Sequence, residues 1–304
     1  MKIIYENTDI SKYVQVRHCI VRDTAGERCD SLELEMEDAG KWFRWEPKRD
    51  DRIRVTHQDY DAGEMYLHSI LPADGRFLIR ATALPCAARN RIYRSYAGKT
   101  LEEIMSSCGA SSGMGSRIYG LDGKTKIPYV QQEDESCAAF LSRLLRMEGA
   151  ELKCVDGRLT AIGILYAQER NAHQTIRLSA DQAGIELQNT GEKARTLTVR
   201  TAFASCTASD EGVSLGIQIL RNDLPARTEL QAGRWARGLL LAHNRRCETL
   251  CLQSEFNQGF TAMTRIDVTG GTAMDGNWLI ADAEHDLIEG TSKVRMHRCI
   301  STIR

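Results

Sequence analysis

The sequence of 304 residues lacks a charge excess, a long apolar run and a dense aromatic content, and each scarcity removes a class of function. Its 40 lysines and arginines stand against 41 aspartates and glutamates, for a formal net charge of -1. Gripping phosphates over a long footprint needs a basic surplus, so no stable nucleic-acid binding is expected. The strongest apolar stretch, around Leu239–Ala242, falls far short of the ~18 residues of a membrane span, so no membrane anchor is expected. The opening MKIIYENTD has no apolar core of the kind a secretory signal carries. None of the 10 cysteines sits in a C-x-x-C pair, and without an export signal they are expected to be reduced, mostly buried thiols of a reducing cytosol. What remains, 27% charged and 42% hydrophobic, is the composition of a globular chain, and the length corresponds to roughly two domains.

Periodicity divides the chain. Up to about Leu84 it alternates: Leu32, Leu34 and Met36 oppose Ser31, Glu33 and Glu35, and Ile53 and Val55 share one face of R-I-R-V-T. Segments 64–70 and 76–84 continue the pattern, with turn signals at 61–63 and 73–75. From residue 86 the period changes. Thr100 and Glu103 form a capping box before Leu101, Ile104, Met105 and Cys108, which fall on one helix face, and Gly109 supplies a stop. A second helix is expected from Ser136 to Glu148, then a hairpin turning at Asp156-Gly157. The last third returns to strands at 196–203, 213–220, 249–256, 264–269, 277–287 and 293–300. A helix near 225–244 interrupts them and is expected to cover a sheet edge. The expected fold is mainly β with an α+β insert. Residues 1–85 form one antiparallel β-barrel, 86–172 a small α+β domain, and 173–304 a second barrel with an inserted helix.

The two strand-rich ends share a spacing. R-I-R-V-T at 52–56 is followed seven residues later by Gly63, and R-I-D-V-T at 265–269 by Gly276. Asp30, Leu32 and Leu34 precede the first, and Glu248, Leu250 and Leu252 the second; Tyr66-Leu67 and Trp278-Leu279 follow them. This pattern points to two copies of one β-module flanking the α+β unit.

No motif assembles a catalytic or metal site. Gly109-Ala110-Ser111-Ser112-Gly113 matches G-x-S-x-G, but a helix precedes it and a Gly/Ser loop follows, the reverse of a nucleophile elbow. Gly123-Lys124-Thr125 lacks the first glycine of a P-loop, whose place is taken by Ile118. His243, Cys247 and Cys251 would share a face only on one continuous helix, and Cys251 lies in a strand pattern. Alternation puts His285 on the opposite face from Glu284 and Asp286. No cofactor and no metal are expected, and the chain is not expected to be an enzyme. Trp42 and Trp45, with Phe43 and Pro47, form the densest aromatic cluster. They serve either as a plug at one end of the first barrel or as subunit-interface anchors.

The segment DSLELEMEDAGKWFRWEPKRDDRIRV (30–55) resembles the opening barrel of the phage late control protein D family, the central baseplate hub of contractile tails and phage-tail-like particles. Asp30, Leu32, Leu34, Asp38, Trp45, Pro47 and Asp51 occupy the family's pattern positions, while Asp50 stands where the family usually has glycine. The segments KTLEEIMSSCG and YVQQEDESCAAFLSRLLRMEGAEL resemble its middle domain, and GNWLIADAEHDL its closing strands, with His285 at the strand end. The resemblance implies a homotrimer whose six barrels ring a channel and adapt a six-fold tail tube to a three-fold spike. The implied partners are further copies of the chain, a separate spike protein, the tail tube protein, the tape-measure protein and other baseplate proteins. Assembly in the bacterial cytoplasm and a place in the tail baseplate of a virion or tail-like particle are also implied. Two alternatives stay open: the hub of a type VI-like secretion apparatus, and a serine hydrolase using Ser111. The channel wall of a hub is expected to be neutral or acidic, since a basic wall would hold DNA.

Overall fold

In a computed structural model the structure describes residues 1–37, 41–73, 75–179, 184–189 and 191–304. Asp38 and Asp74 lie outside the described residues. The first unit comprises β1 (Lys2–Tyr5), β2 (Thr8–Asp9), β3 (Gln15–Thr24), β4 (Ser31–Glu37), β5 (Arg52–His57), β6 (Tyr60–Ala73) and β7 (Arg76–Thr82). Its strands run side by side in the order β1-β5-β6-β7-β4-β3, all antiparallel. Alternation works as the sequence indicates: Leu32, Leu34, Met36, Ile53 and Val55 are buried in one core with Ile79 and Met65.

The middle unit follows with β8 (Arg91–Thr100), α1 (Leu101–Ser112), β9 (Gly115–Tyr119), β10 (Lys126–Ser136), α2 (Cys137–Met147), β11 (Ala150–Val155), β12 (Arg158–Gly163) and α3 (Ile164–Glu169). The capping box at Thr100 and Glu103 is formed. Helix α1 continues past Gly109, however, and stops at Gly113, whose φ of 68° a glycine adopts without strain. Gly109 is needed for a different reason. A Cβ there would lie 2.8 Å from the Met114 carbonyl as the chain turns back into β9. The β11–β12 hairpin turns at Asp156-Gly157, both at positive φ.

The chain then returns to barrel strands at β13 (Gln174–Arg177) and β14 (Ile185–Asn189). It leaves again through β15 (Ala194–Arg200), β16 (Ser205–Ser209), β17 (Ile217–Arg221) and α4 (Glu229–Arg245). It closes with β18 (Glu248–Glu255), β19 (Arg265–Thr269), β20 (Gly276–Asp286) and β21 (Thr291–Arg298). The order β13-β19-β20-β21-β18-β14 repeats the path of the first unit strand for strand. One pairing differs: β13 runs parallel to β19, where β1 runs antiparallel to β5.

The repeat extends to an irregularity. The β6–β7 register slips between Leu67 and Ser69, and the β20–β21 register between Ile280 and Asp282. Counted from Gly63 and Gly276, these are the same positions. A shared bulge is a stronger sign of duplication than shared residue types, because bulges are placed features of a sheet. Register also corrects the alignment of the aromatic strands. Ile53 faces Met65 and Ile266 faces Trp278, so Trp278 corresponds to Met65, not to Tyr66.

The excursion at 191–246 does not complete the second barrel, to which its strand-like pattern assigns it. Strands β15, β16 and β17 form a separate three-stranded sheet. Leu197, Val199, Trp235 and Leu240 are buried in one core with Phe140, Leu141 and Leu144 of α2. Helix α4 starts at Glu229, capped by Thr228, and packs on β15 and β16 of this small sheet as well as against α2. Gly238 permits this approach: a Cβ there would come within 2.1 Å of the Met147 carbonyl.

Candidate assembly surface

The two barrels are joined by strand pairing. Residues 282–286 of β20 pair antiparallel with residues 24–20 of β3, and the Leu287 amide donates to the Cys19 carbonyl at 2.9 Å. One sheet therefore crosses from the first barrel into the second.

The solvent face of this shared sheet is charged and balanced. Six cations (Arg17, Arg22, Arg76, Arg80, Lys293 and Arg295) alternate with six carboxylates (Glu33, Glu35, Glu37, Asp282, Glu284 and Asp286) along β7, β4, β3, β20 and β21. Ion pairs run across the strands. Arg80 pairs with Glu33 at 3.0 Å, Arg76 with Glu35 at 3.1 Å and Arg17 with Glu37 at 2.9 Å. Arg22 meets Glu284 at 2.8 Å across the seam, and Arg295 pairs with Asp282. Each such exposed pair stabilises by roughly 0–1 kcal/mol, so the belt's main effect is to cancel charge.

Beneath the seam the three units meet at one lysine. Lys153 of β11 reaches Asp23 at 2.5 Å and Asp30 at 3.2 Å. Asp23 also accepts the Ala262 amide of the second barrel at 2.9 Å, and Asp30 accepts the Thr24 amide at 2.8 Å. Burial works against the ammonium, but the two carboxylates outweigh it and hold Lys153 protonated. One cation cannot neutralise two acids. Burial, with Asp23 beside it, pushes the Asp30 carboxyl up to about 7 against the pull of Lys153. A second buried pair, Arg245 with Glu151, ties α4 to β11. Arg234 and the Trp235 indole both donate to Glu148 at 2.8 Å, tying α4 to the end of α2. The sequence patterning did not reveal these ties. The one local signal was a lysine set between Leu152 and Cys154 in an apolar strand.

His285 lies under the same seam and is fully buried. Its Nε2 meets the Phe260 carbonyl at 3.0 Å; a carbonyl only accepts, so Nε2 carries the proton and Nδ1 accepts from the Ser292 hydroxyl at 2.8 Å. Tyr60 of the first barrel and Phe256 of the second flank the ring at 5.0 and 5.5 Å. Burial lowers its pKa, so the imidazole is a neutral packing element. Glu284 and Asp286 point to the other face, as alternation implies.

The tryptophan cluster separates into two roles. A short 3-10 turn, Trp42–Trp45, closes one end of the first barrel. Trp42 is 0% exposed, edge-on to Tyr5 at 5.3 Å, so it plugs the barrel and offers nothing to a neighbouring subunit. Trp45 is 43% exposed and leans on Tyr13 at 5.6 Å. Asp50, in the place of the family's glycine, has φ 73° and accepts the Cys86 amide at 2.7 Å. Aspartate tolerates this left-handed conformation better than most residues, so the departure preserves the turn.

The remaining motifs do not become sites. Ser111 sits in the last turn of α1, donates to the Ser107 carbonyl at 2.9 Å and accepts from Arg94 at 3.1 Å. Gly123-Lys124-Thr125 is a turn held by Asp122. His243 lies in α4, Cys247 beyond its end and Cys251 in β18; among the described residues no cluster of His, Cys, Asp and Glu could hold a metal. All ten cysteines are free. Among the described residues no helix is long and apolar enough to cross a membrane.

No family model and no curated protein matches the sequence. Solved structures do. The 43 kDa tail protein of prophage MuSo2 from Shewanella oneidensis superposes with a TM-score of 0.73 at 12% identity, over 98% of this chain and 97% of that one. A tail protein from Neisseria meningitidis gives 0.75 at 10% identity, over 98% and 95%. An E. coli component of the type VI secretion system, itself described as similar to the T4 bacteriophage tail proteins gp27 and gp5, gives 0.60 at 13% identity, over 95% and 74%. The chain thus has, over nearly its whole length, the fold of these tail proteins and of the secretion-system component.

Proposed function

We propose that the chain is a structural, non-enzymatic hub subunit of the baseplate of a contractile phage tail or phage-tail-like particle, of the late control protein D type. Three copies form a ring of six barrels that joins the tail tube to a separate central spike. The observation that carries this reading is the repeated barrel path with its repeated bulge, which gives each chain two equivalent modules. Three such chains present six similar modules to a six-fold tube while remaining three-fold for a spike. The balanced face of the shared sheet is the candidate channel wall. Its cancelled charge lets a tape-measure protein and nucleic acid pass without being held. Trp45, exposed at the plugged end of the first barrel, is the candidate anchor for a neighbouring subunit or another baseplate protein. The setting is a particle assembled in the bacterial cytoplasm.

Light scattering of the chain, alone and mixed with candidate tube and spike proteins, tests this: a trimer mass is expected, and a monomer in every mixture overturns it. The likeness to the E. coli secretion component favours one second reading, the hub of a type VI-like apparatus. Capsid and terminase genes beside the coding sequence would exclude it.

A further inference from the structure

A cleft of about 370 Å³ opens where the three units meet. The first barrel lines it with the chain that leaves β3, from Thr24 to Arg28. The middle unit brings Glu151 of β11, with Arg245 and Arg246 at the end of α4. The second barrel brings Asp282, Arg295 and His297 from β20 and β21. The cleft therefore borders the balanced belt, but its own charges do not cancel. Arg146 pairs with Glu27, Arg245 with Glu151 and Arg295 with Asp282. Arg28 and Arg246 line the same space, and among the described residues neither has an ion-pair partner.

Two buried hydrogen-bonding groups of the lining are also left over. Arg245 is 4% exposed and gives its Nη2 to Glu151, while its Nε has no partner. The buried Thr24 hydroxyl has none either. Both groups can donate, and a buried donor without an acceptor is costly. The second Glu151 oxygen, itself unpartnered, lies instead against the chain at Gly26, where a Cβ would come within 2.6 Å of it. His297 registers the local field. Burial, followed by Arg245, Arg295 and Arg246, lowers its pKa to about 3, so the ring is neutral among the arginines.

We propose that this cleft binds the diphosphate group of a small molecule, held by Arg28, Arg246 and the free donors of Arg245 and Thr24. The two uncancelled cations match a dianion, and guanidinium forks take phosphate oxygens in pairs. The volume is at the small end of ligand sites, and the belt beside it offers no surplus of cations to an extended strand. The occupant is therefore a compact anion and not a nucleic acid. The ligand bridges both barrels and α4, so binding stabilises their junction. The site does not depend on the ring.

Calorimetric titration of the full chain with pyrophosphate tests this. Binding of one molecule per chain is expected, with a thermal midpoint that rises as ligand is added. Arg28→Ala and Arg246→Ala are each expected to weaken binding about tenfold or more. Both side chains are exposed and unpaired, so the fold should tolerate their loss. Thr24→Val removes a hydroxyl that bonds to nothing in the chain. It is expected to weaken binding while leaving the ligand-free urea midpoint unchanged. Arg80→Ala, an equal loss of charge in the belt, is expected to leave binding unaltered. Adenosine diphosphate, titrated beside pyrophosphate, separates two sources of the same group. Equal affinity assigns the site to the diphosphate alone, and tighter binding assigns it to a nucleotide. No binding of either up to about 10 mM overturns the proposal, as does binding that Arg28→Ala, Arg246→Ala and Thr24→Val all leave at the wild-type value. A single-stranded oligonucleotide that binds where pyrophosphate does not also overturns it.

Discussion

Between β3 and β4 the first barrel needs only residues 25–30. Between β14 and β18 the second barrel makes room for a three-stranded sheet and helix α4. The strand path is the same in both, and so is the bulge after Leu67 and after Ile280. The closures are not. The first barrel is plugged from outside by Trp42, and the second is filled from within by Trp278, at the position of Met65. The comparison shows which parts of the module are constrained. Pairing and bulge set where the strands go, whereas loops and barrel ends accept different solutions, because they need only fill space and satisfy backbone groups.

The largest expected effect probes what holds the barrels to the middle unit. Lys153→Met would leave Asp23 and Asp30 buried without their cation, and a loss of about 3–5 kcal/mol is expected in urea unfolding. A loss under about 1 kcal/mol would mean that the barrels hold together through the β3–β20 seam without it.

The second test compares the fillings. Trp278→Ala is expected to cost about 3–5 kcal/mol and Met65→Ala about 2–5 kcal/mol, with the tryptophan the costlier because it leaves the larger cavity. Equal losses would show that the second barrel collapses around the gap.

The third test uses pH. The Asp30 carboxyl is raised in the folded protein to about 7, while in the unfolded chain it titrates near its ordinary value of about 4. In that window the folded state holds the extra proton, so this group's contribution to stability falls as pH rises from about 4 to about 7. Asp30→Asn should flatten the slope in urea melts across the window; an unchanged slope would remove Asp30 as its source.

The smallest effect belongs to the surface. Arg22→Ala is expected to cost no more than about 1 kcal/mol, and less at high salt, because both partners of the Arg22–Glu284 pair are partly solvated. A larger loss would make the belt part of the seam's strength.

Much of the module was readable along the chain. Alternation in S-L-E-L-E-M located the buried face of β4, R-I-x-V-T located β5 and β19, and Thr100 with Glu103 located the start of α1. Each is a local signal, since neighbouring side chains or a single turn produce it. Other features escaped for a stated reason. Gly109 has the residue type of a helix stop, yet its role is to let β9 approach α1. The strands of the excursion looked like barrel strands because alternation says which face is buried and not against what.

By itself, then, the sequence determined the repeat, the strand faces, the helix caps and the near-zero charge, all of which depend on residue order and composition. Only the tertiary structure decided that residues 191–246 join the middle core, that Lys153 serves two aspartates from distant strands, and that β3 closes on β20. These depend on which surfaces meet across long separations in the chain, and strands of similar pattern do not encode which of several similar edges will be their partner.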